Sequence, residues 1–348
     1  MEEKNEAFPA HPRYSRQILF DGIGNEGQAR IAASRVALVG CGALGTAQAS
    51  LLVRAGVGVL RIIDRDFVEE SNLQRQILFD EEDARSVLPK AVAAEKKLRA
   101  ANSLVNVEGV VEDVNPSSID RLLGGFDLIL DASDNFDVRF LVNDFSVKNR
   151  IPWIYGACVG STGLTFPVLP RQTACLRCVY EDKPPAGVSP SCDTAGVIGP
   201  IVMFIAAMQA AEALKIISGA EDQVSRKMTS IDLWGNHHES FNLPPRSPEC
   251  PCCGRLEFPF LDGQLGAGAT TLCGRNSVQI RSQENVRVDL ESLARRLAPL
   301  GRLEQNRFLL RAFIDGYQLT VFPDGRAIIN GTYDIGVAKS LYSRYVGN

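Results

Sequence analysis

The chain has 348 residues, 45% of them hydrophobic, and a formal net charge of -4. That is enough apolar material for one large core and a smaller appended one. The acidic balance offers no basic surface for general nucleic-acid binding. The first ten residues are acidic and polar rather than apolar, so a cytoplasmic protein without a secretory signal is expected.

The first two-thirds alternates strands and helices in the manner of a mainly parallel sheet with crossover helices, so the expected class is α/β and Rossmann-like. Residues 36–39 read as a short apolar strand, followed by glycines and a helix through residue 55. A second strand, 59–63, ends at Asp64. Beyond a polar segment, 90–101 reads as a helix, 105–111 as a strand, and 126–130 as a strand ending at Asp131. A further helix precedes a strand at 153–156. Right-handed crossovers place Asp64 and Asp131 at the carboxyl edge of one sheet, where open α/β folds bind ligands.

Residues 180–199 are rich in Pro, Gly, Ser and Asp and predict a long loop, which in a compact domain is more often functional than accidental. The apolar run 198–211 is too short to span a bilayer and continues through Gln209, Glu212 and Lys215. A buried helix over 201–217 is expected there, and no membrane partner. Strands at 228–234 and 238–243 follow, and the proline-rich stretch 244–259 marks a boundary. Residues 270–348 read strand, helix, strand, strand, helix, which suits a small C-terminal α+β domain.

Gly40-Cys41-Gly42-Ala43-Leu44-Gly45 follows a predicted strand and opens a helix, the context a G-x-G-x-x-G match requires. Glycines permit the tight turn and let backbone N–H groups approach phosphate oxygens at a helix N-terminus. Asp64, ending the next strand, is placed to accept hydrogen bonds from ribose hydroxyls. This much fits a dinucleotide or ATP. A triphosphate, unlike a nicotinamide cofactor, needs cations and a magnesium carboxylate. The chain offers them in Ser71-Asn72-Leu73-Gln74-Arg75-Gln76, in Lys90, and in Asp131-Ala132-Ser133-Asp134-Asn135 at a strand end.

These segments, with Arg13-Tyr14-Ser15-Arg16-Gln17 and the Asp64-x-Asp66 pair, strongly resemble the ThiF/MoeB/HesA adenylyltransferases, relatives of the ubiquitin-activating enzymes. The resemblance covers about residues 13–254. It implies a homodimer that uses ATP and Mg²⁺ to adenylate the C-terminal glycine carboxylate of a small ubiquitin-like sulfur-carrier protein ending in Gly-Gly, for thiamin or molybdenum cofactor synthesis. A sulfurtransferase is a second partner it allows. The resemblance assigns Asp64 to the ribose and Asn72, Arg75 and Lys90 to the phosphates. It makes Asp134 the magnesium ligand and Arg16 an arginine finger reaching the neighbouring subunit's nucleotide. Gly40, Gly42, Gly45, Asp66, Gln76 and Asn135 complete the expected nucleotide site. Ala43 stands where relatives often have a third glycine, and Val87, three residues before Lys90, stands where glycine is common.

Adenylation itself asks for positioning and charge neutralisation, because an ionised carboxylate needs no general base. The three histidines, His11, His237 and His238, all lie outside the nucleotide motifs. A nicotinamide-dependent oxidoreductase would share the glycine loop and Asp64 but leave the cations unexplained; a catalytically silent scaffold would not need Arg16, Arg75, Lys90 and Asp134.

Nine cysteines without a signal peptide point to metal or sulfur chemistry rather than a disulfide framework. Cys175-Leu176-Arg177-Cys178 and Cys250-Pro251-Cys252-Cys253 are two C-x-x-C knuckles suited to tetrahedral Zn²⁺. Cys175, Cys178, Cys250 and Cys253 are the expected ligands, with Cys252 a spectator or a substitute; two redox pairs are the alternative. Cys192, in the long loop, matches a cysteine that resembles the catalytic cysteine of ubiquitin activation and is dispensable in some relatives. The expected organisation is a tail over 1–12, an adenylation domain with zinc knuckles over 13–258, and a small domain over 263–348 for carrier docking, partner binding or dimer support.

Overall fold

The computed structural model describes residues 12–180, 195–265, 269–272, 277–280 and 288–347. Cys192 lies outside the described residues. The contacts divide the chain into two compact units, one ending at Leu265 and one built chiefly from the residues after it.

In the larger unit a 3₁₀ turn leads into α1 (Ser15–Ile18) and α2 (Gly24–Ala33). Next come β1 (Arg35–Val39), α3 (Ala43–Ala55), β2 (Val59–Ile63), α4 (Glu81–Arg85), α5 (Lys90–Ala101), β3 (Asn106–Val110) and α6 (Ile119–Leu123). The chain continues through β4 (Leu128–Asp131), α7 (Phe136–Asn149), β5 (Trp153–Val159), β6 (Thr162–Val168), α8 (Leu176–Val179), α9 (Gly199–Ser218), β7 (Lys227–Asp232) and β8 (His237–Asn242). One eight-stranded sheet holds them in the order β3-β2-β1-β4-β5-β6-β7-β8. β3 through β5 pair in parallel, and β5 through β8 pair antiparallel.

The parallel strands are near-continuous apolar runs because both faces are covered. Alternation sends Val36, Leu38, Leu60 and Leu128 into one core layer, with α3, α5 and α9. Ala37, Val39, Ile63 and Ile129 enter the other, with α6 and α7. Strand order reverses between β1 and β4, so the loops leaving those two strands, at Gly40 and Ala132, lie side by side at the switch point.

β6 was not anticipated from the sequence. β5 runs on past Gly156 and turns through Gly160, in the left-handed region at φ +62°, into an antiparallel partner. Pro167 in β6 argues against an interior strand, yet it sits beyond the reach of β7, which pairs only with Thr162 to Thr165. Its missing N–H therefore interrupts no ladder. α9 is the one described helix long and apolar enough to cross a membrane. Here it packs against α3, β5 and β6 and buries Ile201, Val202, Ile205 and Ala206.

The smaller unit holds β9 (Ala269–Leu272), β10 (Ser277–Ile280), α10 (Leu290–Leu297), β11 (Arg302–Gln305), β12 (Leu310–Ile314), β13 (Tyr317–Val321), β14 (Ala327–Asn330) and α11 (Ile335–Tyr345). Its sheet, ordered β11-β12-β13-β14-β10-β9, is antiparallel, with six described strands where three were expected. Asp315 and Gly316, at φ +52° and +79°, close the β12–β13 hairpin, as an Asp-Gly pair favours. Leu290, Leu293, Leu297, Leu341 and Tyr342 from the two helices fill one face of the sheet. Asp289 and Asp334 cap those helices, accepting from Glu291 N and from Gly336 and Val337 N.

Candidate functional site

Two of the loop glycines are required by packing. Gly40 has φ +95°, and a Cβ there would stand 2.6 Å from the Ala132 carbonyl oxygen. A Cβ on Gly45 would stand 2.3 Å from the Gly40 carbonyl oxygen. Gly42 meets no such obstacle: its nearest neighbour would be Gln76 Nε2 at 3.9 Å, so its bare backbone faces open space. Gly42 is the N-cap of α3, and neither a capping side chain nor a first-turn acid satisfies that helix end. The result is a concentration of N–H donors and positive dipole suited to phosphate. Ala43 takes the first helical position without strain, and Leu44 behind it enters a core cluster.

Asp64 braces this loop. Its Oδ2 accepts the Cys41 N–H at 2.6 Å and its Oδ1 accepts the Asp66 N–H at 2.7 Å. Each oxygen keeps a second lone pair for a hydroxyl donor. Burial raises the Asp64 carboxyl above its ordinary range, and the Lys90 charge works against that rise. Lys90 opens α5, is buried, and holds its Nζ 3.4 Å from Asp66 Oδ2. Burial likewise pushes the Cys41 thiol well up, which leaves it a packing group.

Asn72 is buried and caps its own 3₁₀ turn, its Oδ1 accepting the Glu69 N–H at 3.2 Å. Arg75 is half-buried and donates from Nη1 to the Ser71 carbonyl at 2.9 Å. Gln76 is buried beside Gly42, and its Oε1 has no hydrogen-bond partner. Such an orphaned acceptor costs stability unless a ligand or water serves it. Asn135 caps α7, its Oδ1 accepting the Asp137 N–H at 2.8 Å. Asp134, one residue earlier, is exposed, and no described residue donates a hydrogen bond to its carboxylate. An exposed carboxylate without a hydrogen-bond donor, beside a phosphate cradle, suits Mg²⁺, which commonly keeps several waters and binds phosphate oxygens.

Asp131 does not face ligand. It is buried, its Oδ1 accepts the Ser133 N–H and Oγ–H at 2.9 and 2.6 Å, and its Oδ2 pairs with Arg139 Nε at 3.0 Å. Sequence reasoning missed Arg139. Its signal is a lone cation inside an otherwise buried helix stretch, eight residues after Asp131. A second group it missed is the buried amide pair Gln48 and Gln209, in which Gln209 Nε2 donates to the Asp131 carbonyl at 3.0 Å and ties α9 to the same loop.

Arg16 sits at the other end of α3. Tyr14 is buried, its hydroxyl accepts from Asn102 Nδ2 at 2.8 Å, and Gln17 Nε2 donates to the Ala55 carbonyl at 2.9 Å. Between these anchors Arg16 is exposed, followed by exposed Leu19 and Phe20.

The four knuckle cysteines converge. The Sγ atoms of Cys175, Cys178, Cys250 and Cys253 all lie within 4.8 Å of one another, with separations of 3.4, 3.6 and 4.0 Å among them. Bonds of about 2.3 Å from one tetrahedral Zn²⁺ would set sulfurs about 3.8 Å apart, so the donor set fits. A disulfide would need about 2.05 Å. Hydrogen bonds from Cys175 and Cys253 hold the Cys178 thiol far below its usual range and push theirs up, a set a metal would hold as thiolates. Cys252 lies outside the four-sulfur set though beside it: it is fully buried, accepts from Asn143 Nδ2 at 3.2 Å, and also meets the Cys175 thiol. Beside it burial pushes the Asp144 carboxyl up to about 6.

The model of the ThiF family matches residues 14–252. A sulfur carrier protein ThiS adenylyltransferase of Bacillus subtilis is 47% identical over 337 residues, 96% of this chain and 99% of that protein. A sulfur carrier protein adenylyltransferase of Thermus thermophilus is 37% identical over 247 residues, 70% of this chain and 90% of that one. Among solved structures, E. coli MccB with ATP superposes with a TM-score of 0.62 at 25% identity, covering 70% of this chain and 75% of that chain. The chain belongs to the ThiF family and is a nucleotidyltransferase.

Proposed function

We propose that this enzyme adenylates the C-terminal glycine carboxylate of a small ubiquitin-like sulfur-carrier protein ending in Gly-Gly, with ATP and Mg²⁺, as a cytoplasmic homodimer. The observation that carries the reading is the uncapped N-terminus of α3, with Gly42 open to ligand beside the unpartnered Gln76 Oε1. The carrier proposed is of the ThiS type, serving thiamin rather than molybdenum cofactor synthesis. The likeness to the Bacillus protein supports this, because at 96% of the chain it takes in most of the smaller unit.

A carrier carboxylate oxygen attacks the α-phosphorus, the bond from that phosphorus to the β-phosphate's bridging oxygen breaks, and pyrophosphate leaves with the electron pair. No proton moves. The α3 N-terminus and Gly42 hold phosphate oxygens, and Arg75 and Lys90 offset the charge that builds on the leaving group. Asp64 accepts from the ribose. Asp134 would hold Mg²⁺, whose charge would offset that of the phosphates.

Arg16 completes the site of the other subunit. α3 has 13 residues and is about 20 Å long, and Arg16 is anchored at its far end, beyond a side chain's reach of its own glycine loop. The four cysteines would hold a structural zinc, which would tie residues 250–253 to Cys175 and Cys178. Cys192 is proposed as a thiol that attacks the carrier's acyl adenylate, forming a thioester as the acyl–phosphate bond breaks and AMP leaves.

The test is carrier-dependent exchange of labelled pyrophosphate into ATP. Wild type should exchange, and Asp134→Ala should not, at unchanged circular dichroism. Exchange at a near-normal rate in Asp134→Ala would sink the assignment.

A further inference from the structure

The geometry points to Arg139 as a positioning residue that aims Asp134 through the backbone of Ser133. The inference rests on the proposed reading of Asp134 as the magnesium ligand.

Arg139 lies in the second turn of α7 and is buried. Nε meets Asp131 Oδ2 at 3.0 Å, and Nη2 donates to the Ser133 carbonyl at 2.6 Å and to the Gly156 carbonyl at 3.0 Å. The guanidinium lies over the rings of Tyr155 and Phe136, at 4.9 and 5.3 Å from their centroids. Asp131 in turn takes the Ser133 N–H and hydroxyl. One buried ion pair therefore grips Ser133 from both sides, its N–H by Asp131 and its carbonyl by Arg139. Two peptide planes are oriented, and the next residue is Asp134.

The rest of the loop is held as well. The Ala132 N–H donates to the Val39 carbonyl at 2.9 Å, and Gly40 packs on the Ala132 carbonyl. Gln209 holds the carbonyl of Asp131. Every residue from Asp131 to Ser133 is thus tied to the framework by hydrogen bonds, whereas the Asp134 carboxylate meets the Arg139 charge only across space.

A buried ion pair is a poor device for stability, since well-packed apolar residues often serve as well. It is a good device for geometry, because a planar guanidinium supplies several donors in a rigid fork. No lysine reproduces that fork: one ammonium could pair with Asp131 but could not also span the carbonyls of Ser133 and Gly156. A misplaced carboxylate weakens metal binding although it remains present.

The experiment is equilibrium binding of ATP to the full chain, titrated with Mg²⁺, for wild type, Arg139→Lys and Asp131→Asn. Circular dichroism and zinc content verify folding. In Arg139→Lys the Mg²⁺ concentration that half-saturates ATP binding should rise about 10- to 100-fold, the usual cost of losing a group that orients a metal ligand. ATP binding without added Mg²⁺ should be unchanged. An equal loss with and without Mg²⁺ would mean a general structural role and overturn the inference. So would a wild-type Mg²⁺ dependence in the variant, or ATP binding by wild type that ignores Mg²⁺. If Arg139→Lys does not fold, Asp131→Asn, which keeps the shape and removes the charge, is read the same way. Should wild type lack carrier-dependent exchange while Arg139→Lys still shifts the Mg²⁺ dependence, this inference stands and the carrier reading falls.

Discussion

Tyr14 stands directly on Gly56, the left-handed residue that ends α3: a Cβ at Gly56 would lie 2.4 Å from Tyr14 Cζ and 2.6 Å from its hydroxyl. The contact fixes the segment carrying Arg16 at the opposite end of α3 from the glycine loop of the same chain. Leu19 and Phe20 beside it are exposed, an apolar surface that the proposed homodimer would cover.

The trans arrangement predicts that Arg16→Ala and Asp134→Ala homodimers are each inactive in pyrophosphate exchange. Reassorted heterodimers should recover one working site, the one whose Asp134 and borrowed Arg16 are both intact. Random reassortment then yields roughly a quarter of wild-type activity. No recovery in verified heterodimers would mean that Arg16 acts in cis or not at all.

Val87 has φ +48°. A left-handed β-branched residue costs about 1–3 kcal/mol, and glycine's extra freedom in the unfolded chain takes back about 0.5–1 kcal/mol. Val87→Gly should therefore raise stability by about 1 kcal/mol in urea unfolding. A loss instead would show that the contacts of the Val87 side chain outweigh its backbone strain.

Gln76→Leu should separate folding from binding. Removing a buried acceptor that has no partner spares its desolvation penalty, so stability should stay level or rise by about 1 kcal/mol. If that oxygen faces the nucleotide, ATP affinity should fall about tenfold, the equivalent of one hydrogen bond. Unchanged ATP affinity, measured by calorimetry, would place Gln76 outside the nucleotide site.

Binding energy at a structural zinc is also folding energy, so elemental analysis should find about one zinc per chain. Chelation, or Cys178→Ser, should lower the melting temperature first, and activity only as the protein loosens. The two knuckles close a loop of more than 70 residues, so losing the metal frees the segment near Cys250. Cys252→Ser should keep the zinc, because Cys252 is not among the four sulfurs that converge. Metal-free protein that melts unchanged would revive the redox-pair reading.

The local sequence determined what depends on short-range periodicity and spacing. Continuous apolar runs such as Val36 to Val39 read as strands covered on both faces, and the glycine at 45 follows from a backbone contact within its own turn, whereas the glycine at 40 answers to the Ala132 carbonyl brought in by the neighbouring strand. The paired C-x-x-C spacing named the four sulfurs that the fold gathers. Only the tertiary structure decided which side chains are already spent. Asn72 and Asn135 use their amide oxygens on their own turns, and Asp131, which shares its strand-end position with Asp64, turns inward to Arg139. β6 was hidden because the tolerance for Pro167 depends on how far β7 extends, a long-range fact. The extra strands of the smaller unit had a local sign in the Asp315-Gly316 turn, but four-residue strands carry too little alternation to be read without their partners. A hydrogen-bonding side chain looks the same in sequence whether its lone pairs face a ligand, a helix end or a buried cation. That choice is made by the atoms that packing brings to it.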